Sequence, residues 1–290
     1  MSQDTKLVNL AKQTVFWIIH LGCFAAIWTG VSWTAAFVCF FLYFLRMFAI
    51  TGGYHRYFSH RTYQTSRIFQ FILAFLGASS AQKGPIWWAS HHRHHHQYSD
   101  TEHDVHSPRI DGLWWAHVGW VLSTQFIDTR KELIKDLLKF PELRFLDRNH
   151  LIAPISLAVG LYFLGVFLQA YFPQLNTNGI QMLVWGFCIS TTLLYHGTFF
   201  INSLTHLVGS RRFNTSDDSR NSLVLALVTM GEGWHNNHHR YPGSEKQGFY
   251  WWEIDLTHYI LKVLSWFGIV WDLRTPPARI YEEARANKAQ

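Results

Sequence analysis

Two long stretches of this chain, residues 13–45 and 151–210, contain no Asp, Glu, Lys or Arg. The apolar character of the first runs on past Arg46 to Ile50. A bilayer core about 30 Å thick needs roughly 20 apolar residues per crossing helix, so each stretch has room for two spans. Gly30, Val31 and Ser32 mark a tight turn in the first stretch, with Trp28 and Trp33 beside it as interfacial anchors. The turn 173–179 divides the second. The expected spans are 14–30, 33–53, 151–172 and 180–204. No small-residue cleavage site stands out after the first apolar run, which reads as an uncleaved span and not a signal peptide.

Two polar blocks remain, 54–150 and 207–280. Both short loops between paired spans lack Lys and Arg, and the 25 basic residues sit in the termini, in the polar blocks or near span ends. The positive-inside rule then puts both termini and both blocks in the cytoplasm. The pattern predicts an all-α membrane protein of one domain, 1–290. Four transmembrane helices in two hairpins lie under a cytosolic helical cap. Within the cap, the apolar run 68–78 is short for a span and is expected to pack on the cap core or the membrane face. Segment 128–148 places Leu133, Ile134, Leu137 and Leu138 on one helical face and Lys131, Lys135 and Lys139 on another, as an interfacial or solvated amphipathic helix would. Arg46 is expected to reach from the second span to the interface. The N-terminal stretch with Asp4, Lys6 and Lys12 is polar, and the C-terminal end is expected to fray.

Composition supports a membrane assignment. Charged residues make up 15% and aromatic residues 17% of the chain, with 14 Trp; soluble domains average roughly 25% charged. Cys23, Cys39 and Cys188 all lie in apolar runs and form neither a disulfide framework nor a Cys-x-x-Cys site. Any bound metal is therefore held by nitrogen and oxygen. The outlier is 18 histidines.

These histidines form four clusters on the predicted cytoplasmic side. His55 and His60 make an H-x-x-x-x-H pair just beyond the second span. His91, His92, His94, His95 and His96 crowd residues 88–98. Asn202 and His206 stand four apart at the end of the fourth span, and His235, His238 and His239 repeat an H-x-x-H-H spacing. On a helix, residues at i, i+3 and i+4 share a face. His92, His95 and His96 have that spacing, so two can reach one ion and the third its neighbour. Nine histidines and an amide exceed one coordination sphere but suit two. Such Cys-free, nitrogen-rich sites favour redox iron, although ligand softness also allows copper or zinc.

Taken together, Gly-Gly-Tyr-His-Arg-Tyr-Phe-Ser-His-Arg, His-His-Arg-His-His-His, Ala-His-Val-Gly-Trp at 116–120, Ile-Asn-Ser-Leu-Thr-His and Gly-Glu-Gly-Trp-His-Asn-Asn-His-His resemble the membrane-bound fatty-acyl desaturases of the stearoyl-CoA desaturase type. The resemblance covers about residues 35–275. It implies two irons held by His55, His60, His92, His95, His96, His206, His235, His238 and His239, with Asn202 binding through water. It also implies O₂ as co-substrate and a cis double bond, at carbon 9, in a long saturated acyl chain. Gln82, Trp88 and Thr198 match positions that shape the bend of the substrate tunnel. Tyr43 and Met47, about 18 and 12 Å before His55 along the helix, are expected to close its far end. His91, His94, His103, His106 and His117 are left to packing or to hydrogen bonding behind the ligands. His20 is expected to be satisfied by a neighbour and His196 to line the channel. Asp100, Glu102, Asp104 and Glu232 are candidate partners of the ligating rings.

The resemblance includes bacterial and cyanobacterial members that share the Lys83–Trp88 stretch, and it implies a multi-pass protein of a bacterial inner membrane. Animal members carry Arg-Asp immediately before the second box, where it contacts the CoA headgroup; here those positions are Ser90 and His91. The carrier, acyl-CoA or acyl-lipid, therefore stays open. The chain has no Gly-x-Gly-x-x-Gly, no iron–sulfur Cys run and no His-Pro-Gly-Gly haem signature. Electrons are expected from a separate ferredoxin, rubredoxin or cytochrome b5 with its reductase. The net charge of +6 suits an acidic carrier or anionic lipid equally, and no nucleic acid is expected. A di-iron hydroxylase is the alternative enzyme, although the box spacing favours desaturation. A metal transporter would need polar ligands through the mid-membrane, whereas these lie beyond the span ends.

Overall fold

The computed structural model describes the backbone of residues 3–288 and the side chains of residues 13–287. Asp4, Lys6, Lys12 and the final residues of the chain therefore have side chains outside the described residues. The fold is helical almost throughout. The sheet among the described residues is one antiparallel pair, Gln64–Thr65 with Val270–Trp271.

Three helices are long and apolar enough to cross a membrane: Trp33–Ser59, Ile152–Tyr171 and Gly179–His206. The segment expected as the first span is a shorter apolar helix, Gln13–Thr29. Gly30 breaks the chain here at φ +62°, a left-handed conformation that glycine adopts without strain. Ser32 then caps the next helix, accepting from Ala35 N at 3.1 Å. The same hydroxyl donates to Gln181 Oε1 at 2.7 Å, Gln181 donates to Thr29 O, and the Trp185 indole donates to Gly30 O. The turn is thus bonded to the start of the 179–206 helix. Trp28 and Trp33 are 80% and 93% exposed, as interfacial anchors are. At the opposite turn, a Cβ on Gly165 would meet the backbone of Asn178 and Gly179, so small residues let the last two apolar helices touch closely.

The Trp33–Ser59 helix changes character at Ala49, where its last eleven residues wind as π-helix. Arg46 lies just before this change and does not reach the interface as expected. It is fully buried. Its guanidinium donates to Leu42 O, to Ser79 O and Thr191 Oγ1 at 3.2 and 2.8 Å, and to Ser190 Oγ at 2.5 Å. The side chain turns inward because these hydroxyls and carbonyls offer acceptors that lipid does not.

The amphipathic helix expected over 128–148 also takes another form. A single 3-10 turn, Lys131–Leu133, is followed by irregular chain and by the helix Pro141–Arg148. Ile134 and Leu137 are still fully buried. Asp136, between them, is held by Arg61 and Arg93, and Pro141 ends any continuous ladder while suiting a helix start. The run 68–78 is a helix, Arg67–Ala78, capped by Ser66 and packed on the π-helical segment and the 141–148 helix.

The Arg46 pocket gives an ordering of stabilities. Thr191→Val removes the nearer of the two acceptors of Arg46 Nη1, leaving one N–H of a buried cation unpaired, and is expected to cost about 1.5–3 kcal/mol. Arg46→Met removes the charge with its desolvation penalty and is expected to cost less. Thermal unfolding in detergent compares the two.

Candidate metal centre

The first histidine box is built by the π-helix. In such a helix the backbone bond runs from i to i+5, and His60 N donates to His55 O at 3.2 Å. That period carries two residues five apart to the same side, and their ring centroids are 4.9 Å apart. An α-helix would turn them well away from each other. The second box lies on the helix Pro85–Tyr98, whose N-terminus is set by Pro85 and by Asp147, which accepts from Trp87 N at 2.8 Å. The fourth box is the short helix His235–Arg240, and His206 ends the last long apolar helix.

These elements bring nine imidazoles into two groups, with no carboxylate in either. His55, His60, His92, His96 and His238 form one; His95, His206, His235 and His239 form the other. Within each, the possible ligand atoms all lie within 4.8 Å of one another. The H-x-x-H-H boxes are split between them. His92 and His96 go to the first group and His95 to the second, while His238 goes to the first and His235 and His239 to the second.

The close contacts of the first group are informative. Nε2 of His55 lies 3.0 Å from Nε2 of His238, which is 2.9 Å from that of His96, which is 3.0 Å from that of His92, which is 2.8 Å from that of His60. Each Nε2 has either one hydrogen or one lone pair. Five such atoms can make at most two hydrogen bonds, so at least two of the four contacts carry none. A cation at the centre removes the conflict. Metal–imidazole bonds of about 2.0–2.1 Å at right angles would place neighbouring nitrogens roughly 2.9 Å apart. In the second group, His206 Nε2 and His235 Nε2 are 3.1 Å apart. His95 Nε2 and His239 Nε2 are buried with no hydrogen-bond partner among the described residues. Nδ1 of His235 and His238 is in the same condition.

Carboxylates behind the rings fix their tautomers. Nδ1–H of His95 donates to Asp104 at 2.8 Å, that of His206 to Asp100 at 2.8 Å and that of His239 to Asp217 at 2.7 Å. His55 Nδ1 pairs with Glu232. Each of these bonds directs the Nε2 lone pair inward and raises its basicity. Glu232 is anchored in turn by Arg56, whose buried guanidinium also holds Asp255, and by Gln247. Three of the four expected carboxylates, Asp100, Asp104 and Glu232, are so placed, and Glu102 is exposed. Asp217 was not anticipated. Its only signal is an Asp-Asp pair in a polar loop, 22 residues before the ring it meets.

Burial and the neighbouring imidazoles push His60, His92, His96, His235 and His238 well below the usual histidine range. These rings are neutral near pH 7, the form that binds metal. Burial alone would raise Asp100, Asp104 and Asp217, yet the facing imidazoles and other donors hold them low, as carboxylates. His91 and His94 stand outside both groups. His91 Nδ1 meets Arg130 and its Nε2 the Asp128 carbonyl, while His94 meets the His103 carbonyl. Burial, then Arg130, brings His91 down to about 3.

A cavity of about 440 Å³ leads to the imidazoles. It meets a smaller cavity at Trp88, His92, His106, Thr198 and Asn202, and the smaller one also touches His55, His95 and His235. Gln82, Trp88 and Thr198 are wall residues: Gln82 donates to Thr198 at 3.1 Å, and the Trp88 ring stacks on His92 at 5.0 Å. Asn202 faces both cavities. Tyr43 and Met47 do not close this cavity as expected; among the described residues, neither lines it. The Tyr43 hydroxyl turns to Val228 O at 2.7 Å, and Met47 packs with Tyr43 beneath Gly197. Phe16, Leu122, Tyr195 and Phe199 are among the apolar residues that line the cavity. His196 is off the wall as well, bonded to two other histidines.

The carboxylate contacts yield a prediction. Glu232→Gln and Asp217→Asn leave the nine rings in place but replace the charged acceptors behind His55 and His239 with neutral amides. Each is expected to lower metal affinity by about 10–100-fold, read by metal content after equilibration with a graded chelator.

Known proteins match the chain along most of its length. The fatty acid desaturase family model covers residues 31–270. The chain is 37% identical to an acyl-CoA C20 Delta5-desaturase of Anemone leveillei over 89% of this chain and 79% of that protein. It is 36% identical to a chloroplastic palmitoyl-monogalactosyldiacylglycerol delta-7 desaturase of Arabidopsis thaliana, over 84% and 63%. It is 34% identical to an sn-1 stearoyl-lipid 9-desaturase of Anabaena variabilis, over 92% and 94%. With its buried imidazole groups and apolar helices, the chain belongs to the fatty acid desaturase family and is an oxidoreductase acting on fatty acyl chains.

Proposed function

We propose that this protein inserts a cis double bond, at carbon 9, into a long saturated acyl chain held as a lipid or CoA ester. The overall change is –CH₂–CH₂– + O₂ + 2e⁻ + 2H⁺ → –CH=CH– + 2H₂O. The observation that carries this reading is the pair of buried imidazole groups where the two cavities meet.

Two irons fit the donor set. His55, His60, His92, His96 and His238 would hold one, and His95, His206, His235 and His239 the other, with Asn202 placed to reach the second through a water. The metal pair supplies the oxidising chemistry that no side chain can perform. The protein's own residues do the positioning. Asp100, Asp104, Asp217 and Glu232 engage Nδ1 of four rings and aim their Nε2 atoms inward. Trp88, stacked on His92, and the Gln82–Thr198 pair narrow the passage so that an acyl chain presents its methylenes to the imidazole groups. The aromatic end of the cavity excludes water and receives the methyl end.

In this reading the apolar segments make four crossings in two hairpins, with both termini and the histidine cap cytoplasmic and within reach of an electron carrier. Ferredoxin, rubredoxin and cytochrome b5 each meet the need for single electrons. The acidic relatives among these carriers suit the positive net charge.

Expression in a host lacking unsaturated chains, with a reductant system supplied, tests the reaction. Mass spectrometry is expected to show a new double bond between carbons 9 and 10. A hydroxylated product would assign the chain to hydroxylation, and an unchanged lipid profile would end the desaturase reading. Bound iron tests the donor sets: His92→Ala and His239→Ala are expected to abolish turnover and each to lower iron content. Full activity in either variant contradicts the assignment.

A further inference from the structure

Three histidines outside the metal groups form a chain of their own. His20 lies on the first apolar helix, His196 on the 179–206 helix and His117 on a π-turn, Trp115–Gly119. His20 Nε2 is 3.3 Å from His196 Nε2, and His196 Nδ1 is 3.0 Å from His117 Nε2. His117 Nδ1 is 3.0 Å from Ser203 Oγ, which is also 2.7 Å from Phe199 O. With the Ser203 hydroxyl donating to His117 Nδ1, each link has one donor and one acceptor, His117 Nε2–H to His196 Nδ1 and His196 Nε2–H to His20 Nε2. At the other end, His20 Nδ1 bonds Phe16 O at 2.7 Å. His196 spends both nitrogens on its neighbours, so the three rings present no common point to an ion. They do not form a third metal site.

The anchors of this chain are wall residues of the large cavity. Phe16 supplies the carbonyl at one end, Phe199, whose carbonyl is 2.7 Å from Ser203 Oγ, flanks the other, and both line the cavity together with Tyr195. The rings form one stack. Phe16 lies 4.0 Å from His20 and 5.7 Å from Tyr195, Tyr195 lies 5.6 Å from Phe199, and His20 is parallel to Tyr195 at 6.0 Å. Two of the three wall rings belong to one helix and the third to another. Inside a bilayer, helices gain little from apolar contact with each other, because lipid is an equally good apolar partner. Directional hydrogen bonds between polar side chains are what fix their separation.

We propose that His20, His196 and His117 are positioning residues that clasp the first apolar helix to the 179–206 helix. The clasp fixes the Phe16–Tyr195–Phe199 wall and thereby the acyl length the cavity accepts. The proposal rests on the reading of this cavity as the acyl site. An apolar pocket resolves one methylene by about 10–200-fold when its end is rigid, and the clasp supplies that rigidity.

The test supplies myristate, palmitate and stearate together to cells making wild-type protein, His20→Ala, His196→Ala or Phe16→Ala, and measures products by length alongside iron content. With iron at the wild-type level, His20→Ala and His196→Ala are expected to change the ratio of products by at least about threefold, in the direction Phe16→Ala changes it. If activity falls equally on all lengths in the His variants while Phe16→Ala moves the ratio, the clasp is overturned and the cavity reading stands. If Phe16→Ala also leaves the ratio unchanged while double bonds still form, the cavity reading falls and the clasp with it. Should His196→Ala fail to accumulate, His20→Ala, which removes only the end of the chain, decides.

Discussion

Five imidazole nitrogens packed 2.8–3.0 Å from their neighbours in a buried space cannot satisfy one another. Left alone, they would splay apart or take up water. The surrounding fold is arranged to prevent both. The π-helical end of the Trp33–Ser59 helix fixes two rings by backbone geometry, the Pro85–Tyr98 helix fixes two more by its α-period, and His238 arrives on a third element. Because each ring is carried by a helix that is itself packed, moving one ring out of the cluster means moving a helix. The repulsion is thus held in check by the packing of the cap on the apolar helices.

Behind this cluster stands a layer of buried charge. Arg56, one residue after His55, is enclosed by Glu232 and Asp255 with bonds of 2.9 to 3.2 Å. An uncompensated arginine in such a place would cost several kcal/mol. Burial alone would raise Glu232, yet the facing His55 first and the Arg56 cation next hold it low. Arg46, two helical turns away, is treated differently: it meets hydroxyls and carbonyls, with no carboxylate among its bonds in the described residues. The contrast follows from position. Carboxylates occur beside the cap, where several elements can share the desolvation cost, and the charge-free stretches contain none to offer.

Much of this was readable from the residues. The charge-free runs located the apolar helices to within a few residues, and Gly30–Ser32 marked the first turn because glycine, a capping serine and flanking tryptophans each signal a break. The i, i+3, i+4 spacing allowed two of His92, His95 and His96 to reach one ion and the third its neighbour, but that His95 is the one to part was not readable from it. What stayed hidden depended on contacts between distant segments. Asp217 and His239 meet across 22 residues with no periodicity to announce it. Arg46 looked like a residue bound for the interface because the hydroxyls that receive it, Ser190 and Thr191, lie more than 140 residues on. Segment 128–148 kept its apolar face but lost its helix, since Asp136 is claimed by two arginines of other elements and Pro141 interrupts the ladder. The distance estimate that sent Tyr43 and Met47 to the cavity's end counted α-helical rise along a helix that is partly π-helical, and said nothing of which side they face.

The same facing problem explains how the cavity and the imidazoles come to be joined. Trp88 begins the turn that carries His92, and its ring both borders the cavity and stacks on that histidine. Thr198 and Asn202 sit one helical turn apart on the 179–206 helix, with His206 a further turn on, so a single helix face passes from the cavity wall to the second imidazole group. On the rim, Arg148 and Leu151 are the exposed members of the lining, and Leu151 continues into Ile152 and Ile155, which are exposed on the apolar surface of the next helix. In the proposed reading an acyl chain enters here from the apolar surface, past a rim that also carries Asp147, Arg148 and His150. The continuity of cavity and imidazoles exists because wall and ligand positions are interleaved on the same two helices; a site assembled from loops would have had to build the wall and the metal cage separately and then hold them in register.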